Sequence, residues 1–131
     1  MSFPPQPILP SCGIDLVEVE RIRAHIHDEA FLERVFTERE RAECLGRARA
    51  EESLAARWAV KEAVAKALGV GIGQYLSFQD VEVISGKGKV PKVHLHGPYA
   101  EFPMRIALSF THTRTAAAAV VMIYPEEKDE G

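Results

Sequence analysis

The sequence has few of the features that mark secreted, membrane or nucleic-acid-binding proteins. Only two of its 131 residues are cysteine, Cys12 and Cys44, and neither belongs to a CxxC pair, which predicts free thiols in a reducing compartment. The N-terminus has neither a basic region nor an apolar stretch of signal length, and the longest apolar run, residues 116–124, is too short to span a bilayer. The formal net charge of −3 argues against a dedicated nucleic-acid binder. We therefore expect a cytoplasmic protein with neither a membrane nor nucleic acid among its partners.

What the sequence does contain predicts one globular domain across residues 1–131. The apolar fraction of 47% and the charged fraction of 27% are ordinary values for a globular chain. A chain of this size buries about two-thirds of the surface that it exposes when unfolded, so it can form a real core. The proline-rich residues 1–10 predict an extended arm, and residues 126–131 predict an acidic tail.

The first third of the chain predicts one strand and short helices. Residues 12–17 form an apolar, strand-like run, and residues 19–26 carry apolar side chains at helical spacing. Residues 31–36 are a short apolar segment to which we assign no element. A capping-box pattern at Thr37 predicts a further helix that ends near Gly46.

The main predicted helix covers residues 51–68. Leu54, Trp58 and Ala65 share one apolar face, and alanines cover most of the remainder, so we expect burial on more than one side. Gly69 is a natural C-terminal cap for this helix.

From residue 80 onward the apolar period changes to two. Residues 81–83 and 90–95 flank a turn at 86–89, and residues 106–110 alternate again. The apolar run 116–123 lies between a turn and a proline, which predicts a strand buried on both faces. The fold class is therefore α+β, with a long buried helix and shorter helices packed on a small antiparallel sheet.

Three polar residues stand in unusually apolar surroundings. Glu62 and Lys66 lie one turn apart on the main helix, and Asp15 lies in the first strand. Two semi-buried carboxylates and a lysine are the parts of a magnesium and phosphate site. From the residues alone the simpler interpretation is stronger, with Asp15 as a capping or turn residue and Glu62 in a helix ion pair with Lys66.

Three segments resemble the motifs of a known enzyme family. They are GIDLVEVERI (residues 13–22), WAVKEAVAKALG (58–69) and LSFTHT (108–113). In this order they resemble the three motifs of the holo-acyl-carrier-protein synthase family, the small single-module type of 4'-phosphopantetheinyl transferase. The likeness covers nearly the whole chain, from about residue 12 to residue 123.

The resemblance implies a fold, an activity and an assembly. Members hold a long helix against a small antiparallel sheet and typically form homotrimers with active sites between subunits. They move the 4'-phosphopantetheine group of coenzyme A onto a serine of apo acyl carrier protein, with magnesium, and release adenosine 3',5'-bisphosphate. The resemblance thus implies a transferase of lipid metabolism, within fatty acid biosynthesis, with coenzyme A as co-substrate.

For the three polar residues, the resemblance favours the magnesium and phosphate site over the simpler structural interpretation. The family's residues that match Asp15 and Glu62 hold the metal ion that bridges the coenzyme A diphosphate. Lys66 then stabilises charge on the phosphates, so we expect Glu62, Lys66 and Asp15 to be the catalytic residues. Either Glu62 or a metal-bound water takes the serine proton, and the sequence does not choose between them.

Further residues are predicted to contact the coenzyme, and several have a structural alternative. Lys61 is equally a snorkelling lysine. Arg57 is alternatively exposed and paired to Glu51 or Glu52, and His112 is alternatively a solvated loop histidine. Glycines after the main helix let a ligand approach the backbone, although no Walker pattern is present. The predicted coenzyme A-binding residues are Arg57, Lys61, Lys66, Gly69, Gly71, His112 and Thr113.

Carrier-protein docking is predicted at the first helix. Arg21 and Arg23 give this helix a basic edge, carrier proteins are acidic, and the family docks its carrier at this helix. Relatives often have further basic residues where this chain has His27, Asp28 and Glu29. Docking is therefore expected to depend mainly on Arg21.

Two other functions fit the same residues. A non-catalytic subunit of a larger synthase would bind coenzyme A or the carrier protein without transfer. A metal-dependent nucleotide hydrolase would use the same carboxylates with water as the acceptor.

Overall fold

The computed structural model describes residues 4–86, 88 and 90–126 and contains nine helices and strands longer than three residues in that part of the chain. In chain order they are β1 (Ser11–Glu18), α1 (Val19–Arg23), α2 (Glu29–Val35), α3 (Glu38–Cys44), α4 (Ala50–Leu68), β2 (Val81–Ile84), β3 (Lys92–Leu95), β4 (Met104–His112) and β5 (Ala116–Pro125). All strand pairs are antiparallel. The larger sheet has the order β1-β5-β4, and β2 and β3 form a separate hairpin. The predicted α+β class with a small antiparallel sheet is confirmed.

Helix α4 forms the centre of the core. It packs against β1, β5 and β4 on one side and against α1, α3 and β2 on others. Nearly all of its residues are buried, because alanine and valine leave little side chain to keep neighbours apart. Burial on more than one side is therefore confirmed. The helix ends as predicted at Gly69, whose φ of 77° is the left-handed cap conformation that glycine adopts without strain.

Strand β1 approaches α4 very closely at Gly13. A Cβ atom placed on Gly13 would lie 1.9 Å from the backbone oxygen of Ala63 and 2.9 Å from the backbone nitrogen of Ala67. The strand and the helix therefore touch backbone to backbone, which only glycine permits. This contact fixes which residues of β1 face the last turns of α4, and Asp15 is the next inward-facing residue after Gly13.

The helices before α4 differ partly from the prediction. Helix α1 stops at Arg23, and the chain continues in turns with bonds such as His25 N to Ile22 O (3.0 Å), so the helix predicted to residue 26 is too long. Residues 31–36, to which no element was assigned, lie mostly in α2, whose N-terminus is capped by the Asp28 carboxylate. The capping box at Thr37 is confirmed and begins α3.

Strand β5 is not buried on both faces, and that prediction is wrong. Alternate residues face α4, but Val120 and Met122 are 43% and 52% exposed on the opposite side. The sequence does not show the open face, because β5 has apolar residues, mainly alanine and valine, at inward and outward positions alike. The alternation of apolar and polar side chains that normally marks an exposed face is therefore missing. On neighbouring β1, Ile14 and Leu16 are 68% and 72% exposed. We call the surface formed by Ile14, Leu16, Val120 and Met122 the outer face of the sheet.

The remaining predictions concern the ends of the chain and one turn. Residues 4–10 have no regular structure, and the Tyr99 hydroxyl donates to the Pro5 carbonyl oxygen at 2.7 Å. The predicted turn at 86–89 includes Lys87 and Lys89, which lie outside the described residues, as does most of the predicted acidic tail. Among the helices of the described ranges, none combines the length and the hydrophobicity needed to cross a bilayer.

The contact at Gly13 predicts a large effect of a single methyl group. Gly13→Ala should lower the free energy of unfolding by about 1–3 kcal/mol or more, because the clash is with backbone atoms that cannot rotate away. Gly46→Ala is the matched control, since no atom lies within 4 Å of the added Cβ there. Urea denaturation of both variants checks this, and equal midpoints would contradict the close contact.

Candidate functional site

The side chains of Asp15 and Lys66 meet where β1 crosses the last turns of α4. The Lys66 ammonium donates to Asp15 Oδ1 at 2.9 Å and to the Ile14 carbonyl oxygen at 2.9 Å. The Asp15 side chain is largely buried, whereas that of Lys66 is 53% exposed. The pair thus lies at the protein surface, with the Asp15 carboxylate largely buried and the Lys66 ammonium accessible to an anion.

Glu62 completes this cluster from α4. It is half-buried, and burial raises the pKa of its carboxyl group above the ordinary value, with the negative charge of Asp15 as the second cause. Lys66 and Arg21 act in the opposite direction and lower that pKa, but they do not cancel the rise. The carboxylate of Glu62 is therefore half-buried and close enough to Asp15 to feel its charge, and a further cation at this place would favour its ionised form.

The simpler interpretation of these residues does not describe the structure. Lys66 pairs with Asp15 across the strand–helix contact rather than with Glu62 along the helix. Asp15 lies inside β1 and caps no helix. The structure thus brings Asp15, Glu62 and Lys66 together, which is the arrangement on which the magnesium and phosphate hypothesis depends.

Lys61 points into the core instead of toward a ligand. Its side chain and that of Glu40 are both fully buried, with Nζ and Oε1 2.8 Å apart. Its ammonium also donates to the carbonyl oxygens of Phe78 and Val81, and burial lowers its pKa. We therefore correct the prediction that Lys61 contacts the coenzyme: it is a structural residue that ties α4 to α3 and β2, and it is not a snorkelling one.

Arg57 is buried as well, so neither of its predicted environments is present. Its guanidinium contacts Glu43 Oε1 at 3.3 Å and Ser85 Oγ at 3.1 Å, and its side chain is 2% exposed. The exposed pairing with Glu51 or Glu52 is wrong, and a coenzyme cannot reach the guanidinium in this structure.

The glycine loop after α4 lies open beside the cluster. Gly69 and Gly71 both have left-handed φ angles, 77° and 67°, and a Cβ on either would meet no atom within 4 Å. Gly69 is exposed and follows Lys66 by three residues. The backbone here is accessible to a ligand that approaches the Lys66 ammonium.

The third motif lies at the other end of α4. His112 ends β4, and its Nδ1 lies 3.1 Å from Oε1 of Glu52, a buried residue in the first turn of the helix. Thr113 follows in the turn, where its hydroxyl accepts from the backbone nitrogens of Thr115 and Ala116. Fourteen residues of helix separate Glu52 from Lys66, or about 21 Å along the axis. The structure does not bring His112 and Thr113 into the Asp15 cluster of the same chain.

The two arginines of α1 differ in how free their charges are. Arg21 is exposed, and its guanidinium lies 5.2 Å from the centre of the Trp58 ring. Arg23 pairs with Glu20 at 2.7 Å and donates to the Arg114 carbonyl oxygen at 3.3 Å. Arg21 is therefore the more available of the two for an acidic partner.

Sequence reasoning missed three glutamates that act as partners. Glu40 was identified only through the capping box, yet it also pairs with Lys61. Glu43 pairs with Arg57, and Glu52 pairs with His112 across sixty positions of sequence. Only Glu52 gave a signal, because it lies in the apolar α4, where a carboxylate is rarely buried without a partner, whereas α3 is mostly charged.

Comparison with known proteins identifies the family. The model of the 4'-phosphopantetheinyl transferase superfamily matches residues 11–121. The holo-[acyl-carrier-protein] synthase of Chlorobaculum parvum is 39% identical over 115 residues, which cover 86% of this chain and 97% of the relative. That of Geobacillus kaustophilus is 45% identical over 114 residues and 85% of each chain.

Solved structures agree with this assignment. A crystal structure of a holo-(acyl-carrier-protein) synthase from Bacillus anthracis, in complex with CoA (3',5'-ADP), superposes with a TM-score of 0.76 at 34% identity over 89% of this chain and 96% of that one. The Helicobacter pylori enzyme in complex with coenzyme A gives a TM-score of 0.75 at 33% identity over 86% and 98%. The resemblance of the three sequence motifs is thus confirmed, and the chain belongs to the 4'-phosphopantetheinyl transferase superfamily.

Proposed function

We propose that this protein transfers 4'-phosphopantetheine from coenzyme A to a serine of an apo acyl carrier protein. The observation that carries the proposal is the convergence of Asp15, Glu62 and Lys66 at the contact of β1 with α4. The relatives named holo-[acyl-carrier-protein] synthase, and the related structures solved with coenzyme A, support the same substrates for this chain. We further propose that the chain forms one domain and acts in fatty acid biosynthesis. A cytoplasmic location is proposed because its two cysteines are free thiols, which fit a reducing compartment.

The residues of the cluster fit a magnesium ion. Asp15 and Glu62 supply hard carboxylate oxygens, and burial together with the charge of Asp15 raises the pKa of Glu62, which a bound cation would offset. We propose that these two residues hold the ion. Magnesium bound there would neutralise charge on the coenzyme A diphosphate and align it for displacement.

The chain's own groups account for the remaining parts of the transfer. The serine oxygen bonds to the phosphorus that carries pantetheine, the bond from that phosphorus to the bridging oxygen breaks, and adenosine 3',5'-bisphosphate leaves. Glu62 is one of two candidates to accept the serine proton, and a water held at the same site is the other. Lys66 turns its ammonium from Asp15 toward the phosphate oxygens, which its exposure allows.

The coenzyme is proposed to contact the open backbone at Gly69 and Gly71, and His112 with Thr113. Because about 21 Å of helix separates these two groups, we propose that two subunits supply them to one site. The outer face of the sheet supports such assembly, since Ile14, Leu16, Val120 and Met122 form an exposed apolar surface of the kind that subunits bury. The proposed assembly is a homotrimer with active sites between subunits, and an acidic carrier protein docks at Arg21 with a smaller contribution from Arg23.

An assay with labelled coenzyme A tests the function against its alternatives. The protein is incubated with magnesium, apo acyl carrier protein and coenzyme A that carries the label in its pantetheine arm. Label bound to the carrier protein supports the transferase. Release of labelled phosphopantetheine without an acceptor would indicate a nucleotide hydrolase, and binding without either product would indicate a non-catalytic subunit.

Removal of the Glu62 charge should stop the transfer. Glu62→Gln should lower the transfer rate at least a hundredfold, because the amide neither accepts the serine proton nor provides an anionic ligand. Its melting temperature should not fall, since the variant removes an incompletely compensated charge. Glu51→Gln, two turns or more toward the start of the same helix, is the control and should keep wild-type activity. Wild-type turnover in Glu62→Gln would remove this residue from both roles.

The pKa of Glu62 provides a test that needs no substrate. Burial and the charge of Asp15 raise this pKa in the metal-free protein, so Asp15→Asn should lower it by removing the like charge and freeing the Lys66 ammonium. Added magnesium should also lower it, because the ion favours the ionised carboxylate. Carboxyl carbon NMR during a pH titration measures both shifts. Transfer at saturating magnesium should therefore decline only at a lower pH than the one at which Glu62 titrates in the metal-free protein. An unchanged Glu62 pKa in Asp15→Asn would contradict the proposed proximity.

A charge placed on the outer face should disrupt both assembly and activity. Val120→Glu should yield monomers by light scattering and lose transfer activity, because burial of a carboxylate between subunits is unfavourable. Val90→Glu, at a valine that is 75% exposed outside the sheet, is the matched control and should behave as wild type. Monomeric Val120→Glu with full activity would show that one chain forms a complete site.

A further inference from the structure

The hydrogen bond between Glu52 and His112 has properties of a positioning contact. The Glu52 side chain is 4% exposed, and its Oε1 lies 3.1 Å from His112 Nδ1. The guanidinium of Arg49 approaches Glu52 only to 3.7 Å, beyond a normal hydrogen bond, and Arg23 acts on it only through its charge. Within the part of the chain that the structure describes, His112 is thus the one hydrogen-bond partner of this buried carboxylate, and such a group is rarely buried without one.

This contact determines which ring nitrogen of His112 faces outward. An ionised carboxylate only accepts, so Nδ1 must carry a hydrogen and donate it. The Nε2 atom is then the nitrogen that remains for a ligand, and the described residues provide no hydrogen-bond partner for it. The His112 side chain is 38% exposed, so a ligand can reach it. Without Glu52 the ring would sample both tautomers and several rotamers.

The turn that carries His112 is held independently of Glu52. The backbone nitrogen of Val19 donates to the Thr115 carbonyl oxygen at 2.9 Å, and Arg23 donates to the Arg114 carbonyl oxygen at 3.3 Å. Loss of the Glu52 carboxylate should therefore leave the backbone of the turn in place and release only the imidazole.

We propose that Glu52 is a positioning residue for coenzyme A: it holds the His112 ring so that Nε2 is presented to a polar group of the coenzyme. This inference rests on the proposed function, in which His112 contacts the coenzyme. Glu52 itself touches neither the coenzyme nor the reacting atoms. Its contribution is to fix one orientation and one tautomer before the ligand arrives.

Kinetic measurements on variants of Glu52 and His112, alone and in combination, test the positioning role of Glu52. Glu52→Ala should raise the KM for coenzyme A about tenfold, the size of one lost hydrogen bond, with little change in kcat. Glu52→Gln should recover most of the affinity, because its amide oxygen can accept from Nδ1. Glu38→Ala is the control, since Glu38 is an exposed glutamate in the first turn of α3 without contact to His112, and its KM should equal that of the wild type. In the His112→Ala background, Glu52→Ala should have no further effect.

Nitrogen-15 NMR of the wild-type protein gives a readout that does not depend on turnover or on a variant that might misfold. The His112 signals are identified by their loss in His112→Ala, and at alkaline pH the proton of the neutral ring should lie on Nδ1. A proton on Nε2 would overturn the proposal, and so would additive effects of Glu52→Ala and His112→Ala on KM. Absence of transfer by the wild type would instead overturn the proposed function, so the two failures are distinguishable.

Discussion

The backbone contact between Gly13 and Ala63 is the constraint on which the site depends. Asp15 and Glu62 are far apart in sequence, and neither has a reason to approach the other, since both are negatively charged. The close packing of strand against helix places them side by side, because Asp15 is two residues beyond Gly13 and Glu62 precedes Ala63. The packing of small residues thus provides the free energy that holds two like charges together, and the pKa of Glu62 is raised first by its burial and second by the charge of Asp15.

The polar residues of α4 divide into two groups with different tasks. Lys61 and Arg57 are buried, and Glu40 and Glu43 of α3 compensate their charges; the Arg57 guanidinium also lies 5.5 Å from the centre of the Phe110 ring in β4. Such buried pairs contribute little net stability, but they tolerate few other arrangements of the helix. They therefore fix the rotation of α4 about its axis, and this rotation in turn directs Glu62 and Lys66 toward β1. The structural ion pairs and the proposed catalytic cluster thus involve neighbouring residues on different sides of the same helix.

The sequence predicted the parts of this arrangement that depend on neighbours along the chain. The capping box at Thr37 and the glycine cap of α4 are local patterns, and both are confirmed. The partners of Lys61 and Arg57 come from another helix, so helical spacing suggested snorkelling or surface pairing, and both were wrong. The strand β5 was assigned correctly, but its open face was missed because alanine gives no contrast between the two sides. The same family motif contains Glu62 and Lys61, and Lys61 was predicted either to contact the coenzyme or to snorkel, although only Glu62 reaches the surface cluster.

Strand β1 connects the proposed catalytic cluster with the proposed subunit contact. Its side chains alternate, so Asp15 faces α4 while Ile14 and Leu16, on either side of it, belong to the outer face. Any subunit that covers the outer face must therefore lie against the strand that carries Asp15, one residue away from the cluster. The same alternation explains why β1 has an acidic residue between exposed apolar ones, since one face of the strand meets α4 and the other is open. In the proposed assembly, subunit contact and catalysis would be coupled through the pleat of this strand, because a change on either face reaches the other through a backbone already in contact with α4.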